Sequence, residues 1–295
     1  MPRLQVLLAA LCFGTTGTAQ ALGPDGASPL TVGAVRVALG AVLLLLTVRL
    51  AGGRAPLRLA RRPLAVGGLG VASYQLCFFA AVHDTGVAVG TVAALGSAPA
   101  FAGLGGWLVD RTKPGRAWAL ATALAAVGVA LMALGGSTAE VSAPGVALAL
   151  GAGASYAVFT LASKRLLDSG AAVERVMAGV FTLGALLLVP VLIVGDLDWL
   201  TSADGLAMAI WLGAVPTALA YILFARGLRL LLASEVATLT LAEPVTAAAL
   251  GAIVLAERPG APAVAGIALV IGGLAVLALR GQRGDPLPAG EGALL

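Results

Sequence analysis

The chain has 295 residues, 60% apolar and only 11% charged, with a mean hydropathy of +1.02. Soluble domains run about 45–50% apolar and about 25% charged, so a water-soluble fold is excluded and lipid is the expected solvent. The net charge of +4 does not point to a nucleic-acid partner, because the basic residues sit in short gaps between apolar runs and form no single patch. A bilayer is spanned by about 20 apolar residues. Ten such runs follow one another: Leu4–Leu22, Leu30–Leu50, Pro63–Val82, Val87–Val109, Ala117–Gly135, Pro144–Ser163, Val176–Gly195, Gly205–Ala225, Ser234–Ala256 and Pro262–Leu279. Pro63, Pro144 and Pro262 open three of them, at positions where a missing N–H costs little. The gaps leave no room for a soluble domain, and residues 281–295 read as a polar, Pro/Gly-rich disordered cytoplasmic tail.

Basic residues set the expected orientation. With the N-terminus in the cytoplasm, every Lys and Arg except Arg258 and the intramembrane Arg36 falls on the cytoplasmic side. The opposite loops carry Asp25, Asp84, Glu140, Asp196, Asp198 and Asp204. An even number of spans returns both termini to the cytoplasm. Arg3, the first run and Thr18-Ala19-Gln20-Ala21 share features with a cleaved signal peptide, but Thr15, Thr16, Thr18 and Gln20 interrupt the apolar stretch, and the first run is read as a retained helix.

The second half repeats the first. Ser97–Val109 (SAPAFAGLGGWLV) aligns on Ala242–Val254 (AEPVTAAALGAIV), with Pro99 over Pro244, and Val35–Leu46 aligns on Gly179–Pro190, with Gly40 over Gly184. Five helices plus five helices place the second copy upside down relative to the first. The expected fold is therefore an all-α membrane protein of ten transmembrane helices, arranged as two inverted five-helix repeats around a central cavity. The expected units are 4–136 and 144–280.

The run LAEPVTAAALGAIVLAERP resembles the C-terminal signature of the EamA family in the drug/metabolite transporter superfamily. The FGTTGT of the first run, Arg36 and ALGSAPAF resemble the first EamA repeat, and the similarity covers about residues 4–279. Within the superfamily the chain is most similar to ten-helix bacterial exporters of the YddG type, which release amino acids. One departure stands out: the acidic residue expected 13 positions after Pro99 is Thr112, with Asp110 two residues earlier. The resemblance implies a secondary transporter of the bacterial inner membrane that exports small neutral metabolites, amino acids above all, by alternating access. Import, or movement of another metabolite or drug, is the alternative, and a membrane-bound enzyme or signalling protein is the alternative of another class.

Candidate site residues follow from cost. Glu243 and Arg36 lie inside apolar runs, where a charge is expected to face the bundle interior. Glu243 reads as a protonatable group, a contact for a substrate amine, or a partner for Arg36 or for backbone groups freed by Pro244. Arg36 reads as an interfacial snorkelling group, a backbone bridge or a substrate-carboxylate contact. Gly96 and Pro99 in the fourth run, and Glu243 with Pro244 in the ninth, read as paired hinges of like geometry, because a mid-helix proline removes a backbone bond. Tyr74, Gln75, Phe78 and Phe79, with Tyr156, Trp211 and Tyr221, offer polar groups within apolar walls, as a small-molecule pocket requires, and Gln20, Thr15 and Thr16 extend the set. The first, third, fourth, sixth, eighth and ninth runs are expected around the cavity, the fifth and tenth outside it. Trp118 and Trp199 read as interfacial anchors, Cys12 and Cys77 as small hydrophobes. His83 is the single histidine, and no phosphate loop or nucleophile elbow is present, so neither metal nor other cofactor is expected. The expected partners are a small-molecule substrate and the lipid bilayer, with no nucleic acid, and a monomer is favoured.

Overall fold

Where water is scarce the backbone must satisfy its own N–H and C=O groups, and apolar runs of this length do so as helices. The structure is a computed structural model that describes residues 1–51, 59–111, 114–134, 142–256 and 260–280. Thr112, Glu140, Arg258 and the tail 281–295 lie outside the described residues. Every regular element among those described is helical: α1 (Pro2–Ala21), α2 (Pro29–Leu50), α3 (Arg61–Asp110), α4 (Arg116–Leu134), α5 (Ala143–Asp168), α6 (Val173–Leu187), α7 (Val189–Val194), α8 (Ala203–Gly213), α9 (Ala220–Leu228), α10 (Ala233–Leu239), α11 (Ala242–Val254) and α12 (Ala261–Arg280). A 3₁₀ turn (Asp198–Thr201) precedes α8, and a π-helical turn (Ala214–Leu219) joins α8 to α9. Among the described residues eight stretches are long and apolar enough to cross a membrane: Pro2–Ala21, Pro29–Leu50, Arg61–Gly86, Val89–Val109, Ala143–Asp168, Ala203–Leu228, Ala233–Val254 and Ala261–Leu279. Arg116–Met132 is a shorter apolar helix.

The helices depart from unbroken runs at four places. α3 contains both the third and the fourth run, bent at Gly86, whose φ of 78° lies in the left-handed region that glycine adopts without a Cβ clash. The seventh run is not one continuous span: α6 ends before Leu188, and Pro190 sits in the first turn of α7. The eighth run widens at Pro216. That residue has no N–H to offer the carbonyl of Leu212, and the Thr217 hydroxyl donates to it instead at 2.7 Å. The ninth run breaks at Thr240 and Leu241, between α10 and α11.

The helices of the first half pack mainly on those of the second. α1 lies against α9 and α11, α2 against α6 and α8, α3 against α5, and α4 against α12. Small residues set these distances, as membrane packing favours. At the α4–α12 crossing, a methyl group added to Gly128 would come within 2.6 Å of the Gly266 carbonyl. Away from that crossing, Phe159, Phe181 and Phe224 form a buried aromatic cluster with Tyr156 and Tyr221. Ion pairs Arg3–Glu235 (2.6 Å) and Arg226–Glu174 (3.6 Å) join helix ends on the side of the molecule where α1 begins, and Lys164–Asp168 (2.9 Å) pairs within the last turns of α5.

The two tryptophans expected as interfacial anchors are packed into protein. Trp199 is only 8% exposed, and its indole N–H donates to the Thr31 hydroxyl at 3.1 Å. Trp118 is half-buried and donates to the Ser234 carbonyl at 2.9 Å, tying α4 to α10.

Candidate functional site

Between these helices lies a cavity of about 320 Å³. It extends from the middle of the bundle toward the end that carries the α1–α2 connection and the Gly86 bend. The C-terminal half of α1 supplies Phe13, Thr16 and Gln20, and the N-terminal third of α2 supplies Gly33 and Arg36. α3 supplies Tyr74, Phe78, Phe79 and Val82 before its bend, and Thr91, Leu95 and Ala98 after it. The second half contributes Tyr156 from α5, Tyr221 from α9, and Thr240, Leu241, Glu243 and Ala247 from the α10–α11 break. α4 and α12 contribute no lining residue, and α2 lines the wall although the second run was not expected there.

Arg36 is held in place by a neutral group. Its Nη2 donates to Gln75 Oε1 at 3.0 Å, and Gln75 Nε2 donates to the Gly33 carbonyl at 2.9 Å. Gly33 has to be small, because a Cβ there would meet the Phe79 ring and stand 2.9 Å from Gln75 Nε2. The Arg36 Nε is buried with no hydrogen-bond partner among the described residues.

Glu243 owes its position to the break before it. A proline at 244 cannot return an N–H to the carbonyl of Thr240, four residues back. The Glu243 backbone N–H reaches that carbonyl instead, at 2.9 Å, and Leu241 N–H reaches the Thr238 carbonyl at 3.1 Å. These tighter bonds end α10, and α11 starts afresh with Glu243 in its first turn. A carboxylate at a helix N-terminus is favoured by about 0.3–1 kcal/mol. Next to it the Thr240 hydroxyl donates to the Ala237 carbonyl (2.9 Å), so the Tyr156 hydroxyl is the donor in its 3.2 Å bond to Thr240. No ion pair within 4.0 Å joins Arg36 to Glu243, and the Glu243 carboxylate has no hydrogen-bond partner among the described residues. The expected pairing of the two, and the bond from this carboxylate to freed backbone, are therefore both missing from the described residues.

Of the residues singled out in the sequence, Thr16, Gln20, Arg36, Tyr74, Phe78, Tyr156 and Glu243 meet at this cavity. Gln75 is 2% exposed and stands behind Arg36, outside the main cavity. Gly96, Pro99 and Pro244 are not among the lining residues. Trp211 is displaced from the expected pocket: it is 47% exposed, and its indole donates to Thr15 Oγ1 at 3.2 Å. The cause is the π turn. In an uninterrupted helix, at about 100° per residue, Trp211 and Tyr221 would sit roughly 80° apart. A wide turn that absorbs one residue sets them about 180° apart, so that Tyr221 faces the cavity and Trp211 the outside. Phe13 and Thr91 were not singled out. Phe13 shares the i, i+3, i+7 face of Thr16 and Gln20, a spacing that identifies it.

Comparison with known proteins agrees with this architecture. The EamA-like transporter family matches residues 3–134 and again residues 143–279. The "Uncharacterized transporter YwfM" of Bacillus subtilis (strain 168) is 41% identical over 274 residues, covering 93% of this chain and 92% of that protein. One protein of known crystal structure shares the fold with a TM-score of 0.84 at 20% identity, over 97% of this chain and 99% of its own. A helical chain with eight stretches able to cross a membrane, matched along almost its whole length in two successive copies, belongs to the EamA-like transporter family and fits the drug/metabolite transporter superfamily.

Proposed function

We propose that the protein is a secondary transporter that exports small neutral metabolites, amino acids first among them, across the bacterial inner membrane by alternating access. The observation that carries this is the position of the cavity. It lies where the two family-matched stretches meet, and both supply polar side chains to it, as expected of a site between transporter repeats. The cross-packing of α1 on α9 and α11, α2 on α6 and α8, α3 on α5 and α4 on α12 supports two interlocked inverted repeats. Counting α4 and the pair α6–α7 with the eight longer stretches makes ten crossings. The basic residues favour cytoplasmic termini. On that orientation the cavity leads outward, and the aromatic cluster and the Arg3–Glu235 pair close the cytoplasmic side.

The protein acts on its solute without covalent chemistry, and a single copy encloses the cavity. Counterflow tests the reading. Liposomes containing the purified protein and loaded with an unlabelled amino acid should transiently accumulate the labelled one above its equilibrium level. Equal uptake by loaded liposomes with and without the protein, across the neutral amino acids, would rule the reading out.

A further inference from the structure

Arg36 and Glu243 are the only charged residues on the cavity wall among those described, and they carry opposite signs. Both face the same cavity, yet no ion pair within 4.0 Å joins them among the described residues. A structural ion pair would close that gap, because charges in a low-dielectric bundle are costly unless paired. Here the guanidinium is drawn instead toward Gln75, an amide that fixes its direction without cancelling its charge, and one guanidinium donor is left unmet. Glu243 sits in the first turn of a helix, where the backbone supports an ionised carboxylate but no side chain neutralises it.

We infer that the two residues are the opposite poles of a zwitterion clamp, Arg36 receiving the carboxylate of the solute and Glu243 its ammonium. This rests on the reading of the cavity as the transport site. The planar guanidinium fork matches a carboxylate in two parallel bonds. Tyr74, Phe78 and Phe79 form an aromatic wall of the same cavity, Tyr74 stacked on Phe78 with centroids 5.6 Å apart and Phe79 edge-on to Phe78 at 5.4 Å. That wall suits an apolar or aromatic side chain. The volume lies at the lower end of the roughly 300–1,000 Å³ range of ligand pockets, so the occupant is a single small molecule. A one-ended solute leaves one wall charge unpaired. Such solutes are selected against on the order of 100-fold, by the asymmetry that makes an unmet polar group expensive. Gln75 acts as a positioning residue through Arg36.

The test uses phenylalanine and its two one-ended analogues, 2-phenylethylamine and 3-phenylpropanoate. Binding is measured by calorimetry on the purified full-length protein. Wild-type protein should bind phenylalanine on the order of 100-fold more tightly than either analogue. In Glu243→Gln the advantage of phenylalanine over 3-phenylpropanoate should shrink to about 3-fold, while its advantage over 2-phenylethylamine persists. Arg36→Gln should show the reverse. Gln75→Glu sets a competing carboxylate beside Arg36 without removing it, and should behave like Arg36→Gln; it replaces that variant if Arg36→Gln does not elute as a folded monomer. Equal loss of all three ligands in each variant would overturn the clamp, as would wild-type binding of a one-ended analogue as tight as that of phenylalanine. Amino-acid counterflow that persists beside such results removes the clamp alone. Absence of both binding and counterflow for phenylalanine, leucine and serine removes the clamp together with the amino-acid reading.

Discussion

The segments Ser97–Val109 and Ala242–Val254 align in sequence yet have different backbones. Pro244 follows a break at Thr240–Leu241 and lies in the first turn of a new helix. Pro99 lies inside α3, whose one non-helical residue is the distant Gly86. The expectation of two hinges of like geometry is therefore not met. A proline alone does not break the helix here. The break comes where its freed carbonyl finds the N–H of a residue three ahead, and where the new N-terminus receives a carboxylate. The aligned positions Ala98 and Glu243 both line the cavity, so one wall has a methyl group where the other has a charge. Similar sequence in the two copies has supplied similar placement and unequal chemistry.

The comparison breaks first if the two walls can be made alike. Ala98→Glu puts a second carboxylate in the cavity at a position only 4% exposed and packed on α5. Burying that charge costs about 2.5–3.5 kcal/mol, with overpacking of about 1–3 kcal/mol besides. Most of the monodisperse protein should be lost on size-exclusion chromatography; a well-folded, active Ala98→Glu would show that the asymmetry is dispensable. Exchanging the prolines sharpens the contrast. Pro244→Ala restores an N–H toward Thr240 and should join α10 to α11, slowing counterflow about 10-fold while leaving folding intact. Pro99→Ala sits in continuous helix and should instead raise stability by up to about 3 kcal/mol with little change in rate. Similar rate losses in both would restore the paired hinges.

Glycines report the smaller differences. A methyl group on Gly14 would stand 2.5 Å from Thr246 Cβ and 2.9 Å from the Glu243 carbonyl, at the crossing of α1 with α11. Gly14→Ala should cost about 1–3 kcal/mol, read as a lower Tm. Gly96 has no neighbour nearer than 4.0 Å to an added methyl group. Gly96→Ala should therefore be neutral or stabilise by up to about 1 kcal/mol. If its counterflow rate falls while its Tm rises, Gly96 is a hinge after all.

Hydrophobic runs made the helices legible, because run length alone decides what can cross a bilayer. The two intramembrane charges were legible for the same reason: Arg36 and Glu243 have no low-cost place except against protein or a cavity. The rest depended on facts that no single run contains. The position of Trp211 depends on the phase slip at Ala214–Leu219, and the role of Gln75 on where Arg36 points across an interface 39 residues away. The interruption at Leu188 is signalled in the sequence only by Pro190, which could equally have bent a continuous helix. The EamA resemblance located the family but not the α10–α11 break, since a Glu-Pro pair is compatible with either a bent helix or two helices.

The packing of α1 bears on how the protein is made. Its main contacts are α9 and α11, and Arg3 pairs with Glu235. With a mean hydropathy of 1.2, α1 is also the least apolar of the eight crossing stretches. It leaves the ribosome before α9, and about 200 residues must follow before α9 exists, which at ribosomal speeds of roughly 5–20 residues per second takes about 10–40 s. For that interval Thr15, Thr16 and Gln20 stand at the bilayer without their final neighbours. A helix made well before its partners is thus among the last to be seated, and its safe keeping falls to the insertion machinery until the other half of the chain arrives.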